Sequence, residues 1–104
     1  MSFRPAVEIH LHLRVHANDA DTLIAFLREA VPFYEQPGGI QIRLLQHQSD
    51  PERFIEVVEY HTHADYERDQ ERVEHDPEMH QYLARWRSIL MEPPKVEIYQ
   101  HCMI

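Results

Sequence analysis

Ten residues near the start of the chain, Val7 to His16, alternate without a break. Val7, Ile9, Leu11, Leu13 and Val15 are set against Glu8, His10, His12, Arg14 and His16. Successive side chains of a strand point to opposite faces, so this run predicts a strand with one apolar and one polar face. Asn18 and Asp19 follow as candidate helix caps. Leu23, Phe26, Leu27, Ala30, Val31 and Tyr34 then recur at helical spacing. Pro37-Gly38-Gly39 ends that helix and holds both glycines of the chain.

Ile40, Ile42 and Leu44 alternate again and predict a second strand. Ser49-Asp50-Pro51-Glu52 reads as a turn, and Phe54 to His61 as the third strand of a hairpin. A polar helical stretch from Ala64 to His75 is interrupted at Asp76-Pro77. Proline is tolerated in a first helical turn, so Pro77 restarts the helix. Met79, Tyr82, Leu83, Trp86, Ile89 and Leu90 form its apolar stripe, Pro93-Pro94 closes it, and Val96 to Met103 is the last strand. The order β-α-β-β-α-β predicts a ferredoxin-like α+β domain spanning residues 1–104. Its four-stranded antiparallel sheet carries helices on one face, and the first strand lies between the third and the fourth.

A chain of 104 residues makes one domain with a modest core, to which dimerisation would add burial. A net charge of −8 without any basic cluster argues against a nucleic-acid surface. No apolar run approaches the ~20 residues needed to span a bilayer. Met1 to Ala6 lacks the basic start and apolar core of a secretory signal. A single cysteine, Cys102, suits a reducing compartment, and the expected location is the cytoplasm. No adjacent base marks Cys102 as a nucleophile.

Pro37-Gly38-Gly39, the Asp50-Pro51-Glu52-Arg53-Phe54 turn, Glu59-Tyr60 at a strand end and Asp76-Pro77 before an amphipathic helix resemble the antibiotic-biosynthesis-monooxygenase (ABM) family. The longer helical segment between Tyr66 and Pro77 is also similar to NIPSNAP-like domains. The resemblance covers nearly the whole chain. It implies a homodimer whose sheets face each other as a dimeric α/β barrel, with a pocket between sheet and helices in each subunit. Family members include cofactor-free oxygenases of aromatic polyketides and haem-degrading enzymes. The tryptophan typical of the third strand's end falls on Tyr60. The first-strand asparagine of the haem-degrading members falls on Leu11 and their haem-ligating histidine on Leu83. Leucine cannot ligate iron, so the resemblance disfavours haem.

Two places can hold chemistry. The first is the helix–sheet cleft, with substrate-binding candidates Leu11, Leu13, Tyr66, Met79, Leu83 and Trp86, beside Ile42 and Val58. Apolar walls with a few polar groups suit a small flat aromatic or apolar ligand. Oxygenation without an organic cofactor needs a base that makes an electron-rich carbanion, and the candidates are Glu56, Tyr60 and His80, with His63 and His75 as rivals. Glu56 shares a strand face with Val58 and Tyr60, and desolvation there would raise its pKa. The alternative is that these residues are simply core.

The second place is the opposite sheet face. His10 and His12 point the same way, with Glu59, His61, Glu97, Tyr99 and His101 on flanking strands and Arg14, Arg43 and His47 beyond. Nine histidines in one small chain raise the question of a divalent metal at His10, His12, Glu59, His61 and His101. The alternative is a self-satisfied polar network. His61-Thr62-His63 reads as a strand end leading to a helix cap, and the charged run Asp65 to Glu74 as a solvated helix face. Two function classes follow. One is an ABM-like cofactor-independent monooxygenase; the other is a non-catalytic dimeric binding or interaction domain, or a metal-binding barrel.

Overall fold

A computed structural model describes residues 5–104. The first four residues, which belong to the expected domain 1–104 and to the N-terminal stretch Met1 to Ala6, lie outside the described residues. The elements are β1 (Val7–Arg14), a 3-10 turn (Ala17–Asp19), α1 (Ala20–Tyr34), β2 (Ile40–Gln46), β3 (Arg53–Tyr60), α2 (His63–His75), α3 (Pro77–Ile89) and β4 (Lys95–Gln100). The sheet is antiparallel in the order β2-β3-β1-β4, so β1 is central and flanked by β3 and β4. This is the ferredoxin-like arrangement. No helix is long and apolar enough to cross a membrane, among the described residues.

The register sorts the faces. Val7, Ile9, Leu11 and Leu13 of β1 stand opposite Tyr60, Val58, Glu56 and Phe54 of β3, and β2 continues the row with Ile40, Ile42 and Leu44. Directly opposed residues share a face, so this entire set points toward the helices. α1 meets it with Leu23, Phe26, Leu27, Ala30 and Tyr34, and α3 with Met79 and Trp86, all buried. Their spacing of three and four residues is that of one helical stripe.

Two helix starts fall where expected, at Asp19 and Pro77, and two strand ends fall earlier than expected, each for a local reason. Asp19 stands at the cap of α1, but its side chain makes no capping hydrogen bond; a 3-10 turn leads into the helix instead. The interrupted second helix is two helices. Asp76 has the extended backbone that a residue before proline prefers, and its carboxylate accepts from the Glu78 N–H at the new N-terminus. β3 runs from Arg53 to Tyr60, because His61 N–H turns away to the Gly39 carbonyl (2.8 Å). β4 stops at Gln100, which pairs with Val7, the first residue of β1.

α2 begins with a reciprocal capping box. Thr62 Oγ1 accepts from the Asp65 N–H (3.0 Å), and Asp65 Oδ2 accepts from the Thr62 N–H (3.1 Å). Arg68 also pairs with Asp65. Gly39 packs against this box. It has φ +74°, and a Cβ there would lie 2.4 Å from the Asp65 carboxylate, whereas Gly38 (φ +83°) faces open space. Both positions favour glycine conformationally, but only Gly39 is also closed sterically. Gly38→Ala should therefore cost about 1 kcal/mol of unfolding free energy and Gly39→Ala about 2–3 kcal/mol, read from urea midpoints at unchanged m-value. Equal losses would show that Asp65 yields freely.

Candidate functional site

Position 56 places a carboxyl group in the middle of the apolar face of β3, between Leu11 on β1 and Leu44 on β2. Glu56 is 4% exposed. Its hydrogen-bond partner is Trp86, whose Nε1–H donates to Oε1 (3.1 Å) across the sheet–helix interface. Burial pushes the carboxyl up to about 7, and the Trp86 hydrogen bond acts in the opposite direction. Among the described residues, no basic side chain pairs with it.

Glu56 sits in the wall of a cleft of about 240 Å³ between the sheet and the helices. Of the predicted lining, Leu11, Ile42, Val58, Tyr60, Met79, Leu83 and Trp86 are present. Leu13 and Tyr66 are not. Leu13 is packed into the core with Val15 and Phe54, and Tyr66 sits behind Tyr60, edge-on at 5.4 Å between ring centres. His80 lies outside too. The α3 start turns its ring back over the end of α2, where Nε2 meets the carbonyls of Val73 (2.8 Å) and Glu74 (3.0 Å). It is an exposed helix-end partner, away from the proposed proton transfer.

The cleft contains a polar chain that the sequence pattern did not suggest. Tyr60 Oη–H donates to Asp69 Oδ2 (2.5 Å), Asp69 pairs with Arg72 (3.2 Å), and Arg72 donates to the carbonyls of Phe33 (2.9 Å) and Tyr34 (3.0 Å) at the end of α1. The Phe33 carbonyl also accepts from the Gln36 N–H (3.3 Å), so Arg72 reinforces that bond and takes up the Tyr34 carbonyl at the helix end, where carbonyls lack intrahelical partners. Asp69 is buried and Arg72 half-buried, so the run Asp65 to Glu74 is not a wholly solvated face. Burial raises the Asp69 carboxyl, opposed by the Tyr60 hydrogen bond and by Arg72. Burial, with Asp69 beside it, also holds the Tyr60 phenol far above its ordinary value, so Tyr60 serves as a neutral donor rather than a base.

Tyr34 completes the wall. Its hydroxyl is buried and, among the described residues, is the one buried side-chain polar atom without a hydrogen-bond partner. Its position in a helical stripe marks it as core, and nothing in that spacing signals a hydroxyl left without a partner.

The histidine-rich face does not gather a metal site. Glu59 stands opposite Glu8, whereas His10 stands opposite Val57 and His12 opposite Ile55. The groups fall around two centres: His12 pairs with Glu97, while His10 (4.0 Å), His101 and Arg43 (3.9 Å) all approach Glu8. His12 Nε2 is 2.6 Å from Glu97, Arg43 Nε donates to Glu59 (2.7 Å), His101 lies 3.6 Å from Glu8, and the His10 ring packs on Tyr99 at 4.8 Å. His61 follows β3, past its last paired residue. Among the described residues, no three His, Cys, Asp or Glu side chains are placed to hold a metal ion. A wider hollow of about 390 Å³, lined in part by His12, Arg14, Leu45, His47, Arg53 and Lys95, has no buried acid in its wall.

The raised carboxyl of Glu56 links pH to stability. The folded state holds its proton more tightly than the unfolded chain, whose carboxyl has the ordinary value of 4.5. Between pH 4.5 and about 7 the folded state binds more protons, so this contribution to stability falls as pH rises and is flat above that window. Glu56→Gln carries no such loss. Relative to Glu56→Gln, the wild type should lose about 2–3 kcal/mol between pH 4.5 and pH 8, measured by urea unfolding. Parallel pH curves would mean that Glu56 ionises as freely in the fold as in water.

No protein-family model matches the chain, and no curated protein matches its sequence. Solved structures do. A candidate antibiotic biosynthesis monooxygenase of Bordetella bronchiseptica superposes with a TM-score of 0.76 at 17% identity, covering 96% of this chain and all (100%) of that one. A conserved protein of Methanosarcina mazei Go1 gives 0.76 at 11% identity, covering 92% of each chain. A variant of SnoaB, a cofactor-independent oxygenase from Streptomyces nogalater, gives 0.70 at 14% identity, covering 94% of each. At these identities the likeness shows the fold: the chain has the ferredoxin-like fold found in ABM proteins.

Proposed function

We propose that the protein is a cofactor-independent monooxygenase that acts on a small aromatic substrate in the helix–sheet cleft. The observation that carries this reading is Glu56, a buried carboxyl with a pKa of about 7 set among apolar walls and hydrogen-bonded by Trp86. A base is most effective when its pKa lies near the working pH. The named activity of SnoaB, a neighbour in fold, supports the same direction. A cleft of about 240 Å³ falls below the roughly 300–1,000 Å³ of sites that take drug-sized ligands, so the substrate is small, with two or three fused rings.

The reaction balances without an organic cofactor. Glu56 removes a proton from an activated ring CH2, leaving a delocalised carbanion. One electron passes to O2, and the resulting radical pair joins to form a C–O bond. Glu56 returns its proton to the peroxide, and loss of water, with cleavage of the O–O bond and departure of the second hydrogen, leaves a ketone. One oxygen atom enters the product and the other leaves as water. Leu11, Ile42, Val58 and Leu83 exclude bulk water from the carbanion.

A homodimer belongs to the same reading. Leu45 (44% exposed) and Tyr99 (45% exposed) leave apolar surface uncovered on the open face of the sheet, which a second copy packed sheet to sheet would bury. The same surface favours the second reading, a non-catalytic dimeric binding domain. Light scattering at micromolar concentration should give twice the chain mass; a monomeric mass would remove the dimer from both readings.

Oxygen uptake with anthrone separates the two. The enzyme reading expects substrate-dependent O2 consumption whose kcat/KM rises with pH through about 7 and levels off above it, as Glu56 becomes the carboxylate. Glu56→Gln should lower the rate by roughly 10²–10⁴-fold. Trp86→Phe should move the midpoint upward, because the lost hydrogen bond favours the charged form. No uptake, or an unchanged rate in Glu56→Gln, would leave the binding-domain reading.

A further inference from the structure

All four strands begin or end at one end of the sheet, and they bring cations there. Arg14 is the last residue of β1, Arg53 the first of β3 and Lys95 the first of β4, while His47 follows β2. These four residues line the hollow of about 390 Å³, which lies within the roughly 300–1,000 Å³ of small-molecule sites. In a chain with 10 Lys and Arg against 18 Asp and Glu, such a gathering runs against the overall charge. Arg14 and Arg53 stand directly opposite each other in the β1–β3 register, where like charges destabilise a sheet. The acids that face them are Glu52 (3.7 Å) and Glu92 (3.6 Å) for Arg14 and Asp50 (3.4 Å) for Arg53. None of these contacts is a hydrogen bond, and only Glu92 belongs to the wall of the hollow. Among the described residues, the Lys95 ammonium makes neither a hydrogen bond nor an ion pair. His12 is held by Glu97 (2.6 Å), and His47 Nδ1 accepts from the Ser49 N–H (3.1 Å), which leaves the imidazole proton on Nε2.

We propose that this hollow binds a small molecule bearing a doubly charged oxyanion group, a phosphate monoester or a dicarboxylate. The wall carries three cations, Arg14, Arg53 and Lys95, against the single carboxylate of Glu92, and that surplus matches a dianion. A guanidinium presents its N–H donors as a planar fork that fits two oxygens of one oxyanion. Arg14 and Arg53 offer two such forks from adjacent strands, and Lys95 adds a point charge from β4 on the other side of β1. A bound anion also removes the repulsion between the opposed arginines, so the pair is better satisfied with ligand than without. Ile55 and Pro93 give the hollow an apolar side for the carbon body of the molecule. The hollow shares no wall residue with the helix–sheet cleft, and its ligand is independent of the oxygenase reading.

Calorimetric titration of the whole chain at neutral pH, in a buffer free of phosphate, tests this with phenyl phosphate, phthalate and the monoanion benzoate. The expected result is saturable binding of at least one dianion, one per chain, with a Kd below about 1 mM, and weaker binding of benzoate. Binding of phenyl phosphate alone assigns a phosphate ester, and binding of phthalate alone a dicarboxylate. Arg14→Gln and Arg53→Gln should each weaken the dianion roughly ten-fold or more, the loss of charge-assisted hydrogen bonds. Arg85→Gln removes the same charge from α3, where Arg85 pairs with Glu29, and should leave the affinity unchanged. Trp86, the single tryptophan of the chain and part of the helix–sheet cleft, should keep its fluorescence throughout the titration. A change in that fluorescence would place the anion in the cleft and overturn the site. An equal loss in Arg85→Gln would reduce the effect to general attraction and overturn it as well. So would benzoate binding as tightly as the dianions, or no saturable binding of either dianion.

Discussion

A carboxyl group on the inner face of a sheet has to be kept neutral, paired with a cation or hydrogen-bonded, because an isolated buried charge is among the most expensive features a fold can hold. Glu56 meets that requirement with a single neutral donor, Trp86, and no cation. Much of the site follows from this. The donor must come from the helix layer, so α3 has to cross β3 with its indole directed at position 56. The walls between them stay apolar, so the carboxyl keeps its raised pKa of about 7. An arginine at this point would favour the carboxylate and lower its pKa, giving a stable ion pair and a poor base.

The second buried acid is handled differently, and the contrast separates their roles. Asp69 has both a phenol and a guanidinium, and the guanidinium continues to the last carbonyls of α1. The Tyr60–Asp69–Arg72 chain therefore joins β3, α2 and α1 through hydrogen bonds that satisfy one another, which is how a buried polar network specifies one arrangement of its elements. α2 needs such a tie, since Asp69 is its one buried residue and it has little apolar surface with which to dock. Two acids within one small core thus divide into a fixed, fully paired strut and a lightly held, titratable group.

How much of this was legible depended on which periodicity each residue obeyed. The fold was legible because β1, β2 and β3 alternate cleanly, and register carries alternation from strand to strand. That also made Glu56 visible, as an acid in phase with Val58 and Tyr60. Asp69 and Arg72 were hidden in a run of charges. In a helix whose positions are nearly all polar, the buried side cannot be read until the packing of its axis is known. His80 misled for a related reason: it shares a helix with Met79, yet a hundred degrees of rotation turns it to the α2 terminus instead of the cleft. The histidines of the open face share a side of the sheet, but side-chain direction alone does not bring three ligands to one point. His12 is drawn to Glu97, and His10 and His101 to Glu8.

The two faces of the sheet consequently do different physical work. On the open face, Glu8, Glu59 and Glu97 interleave with Arg43, His12 and His101, and such partly exposed pairs contribute little stability each. The helix face carries nearly all the apolar burial, yet its layer stops short of β4, and Val96 belongs both to the cleft wall and to the exposed edge. In the dimeric reading the sheets meet through the open face, so the interface and the cleft lie on opposite sides of the sheet. Desolvation at Glu56, the source of its raised pKa, is already complete within one chain, so folding alone is enough to give the base its strength.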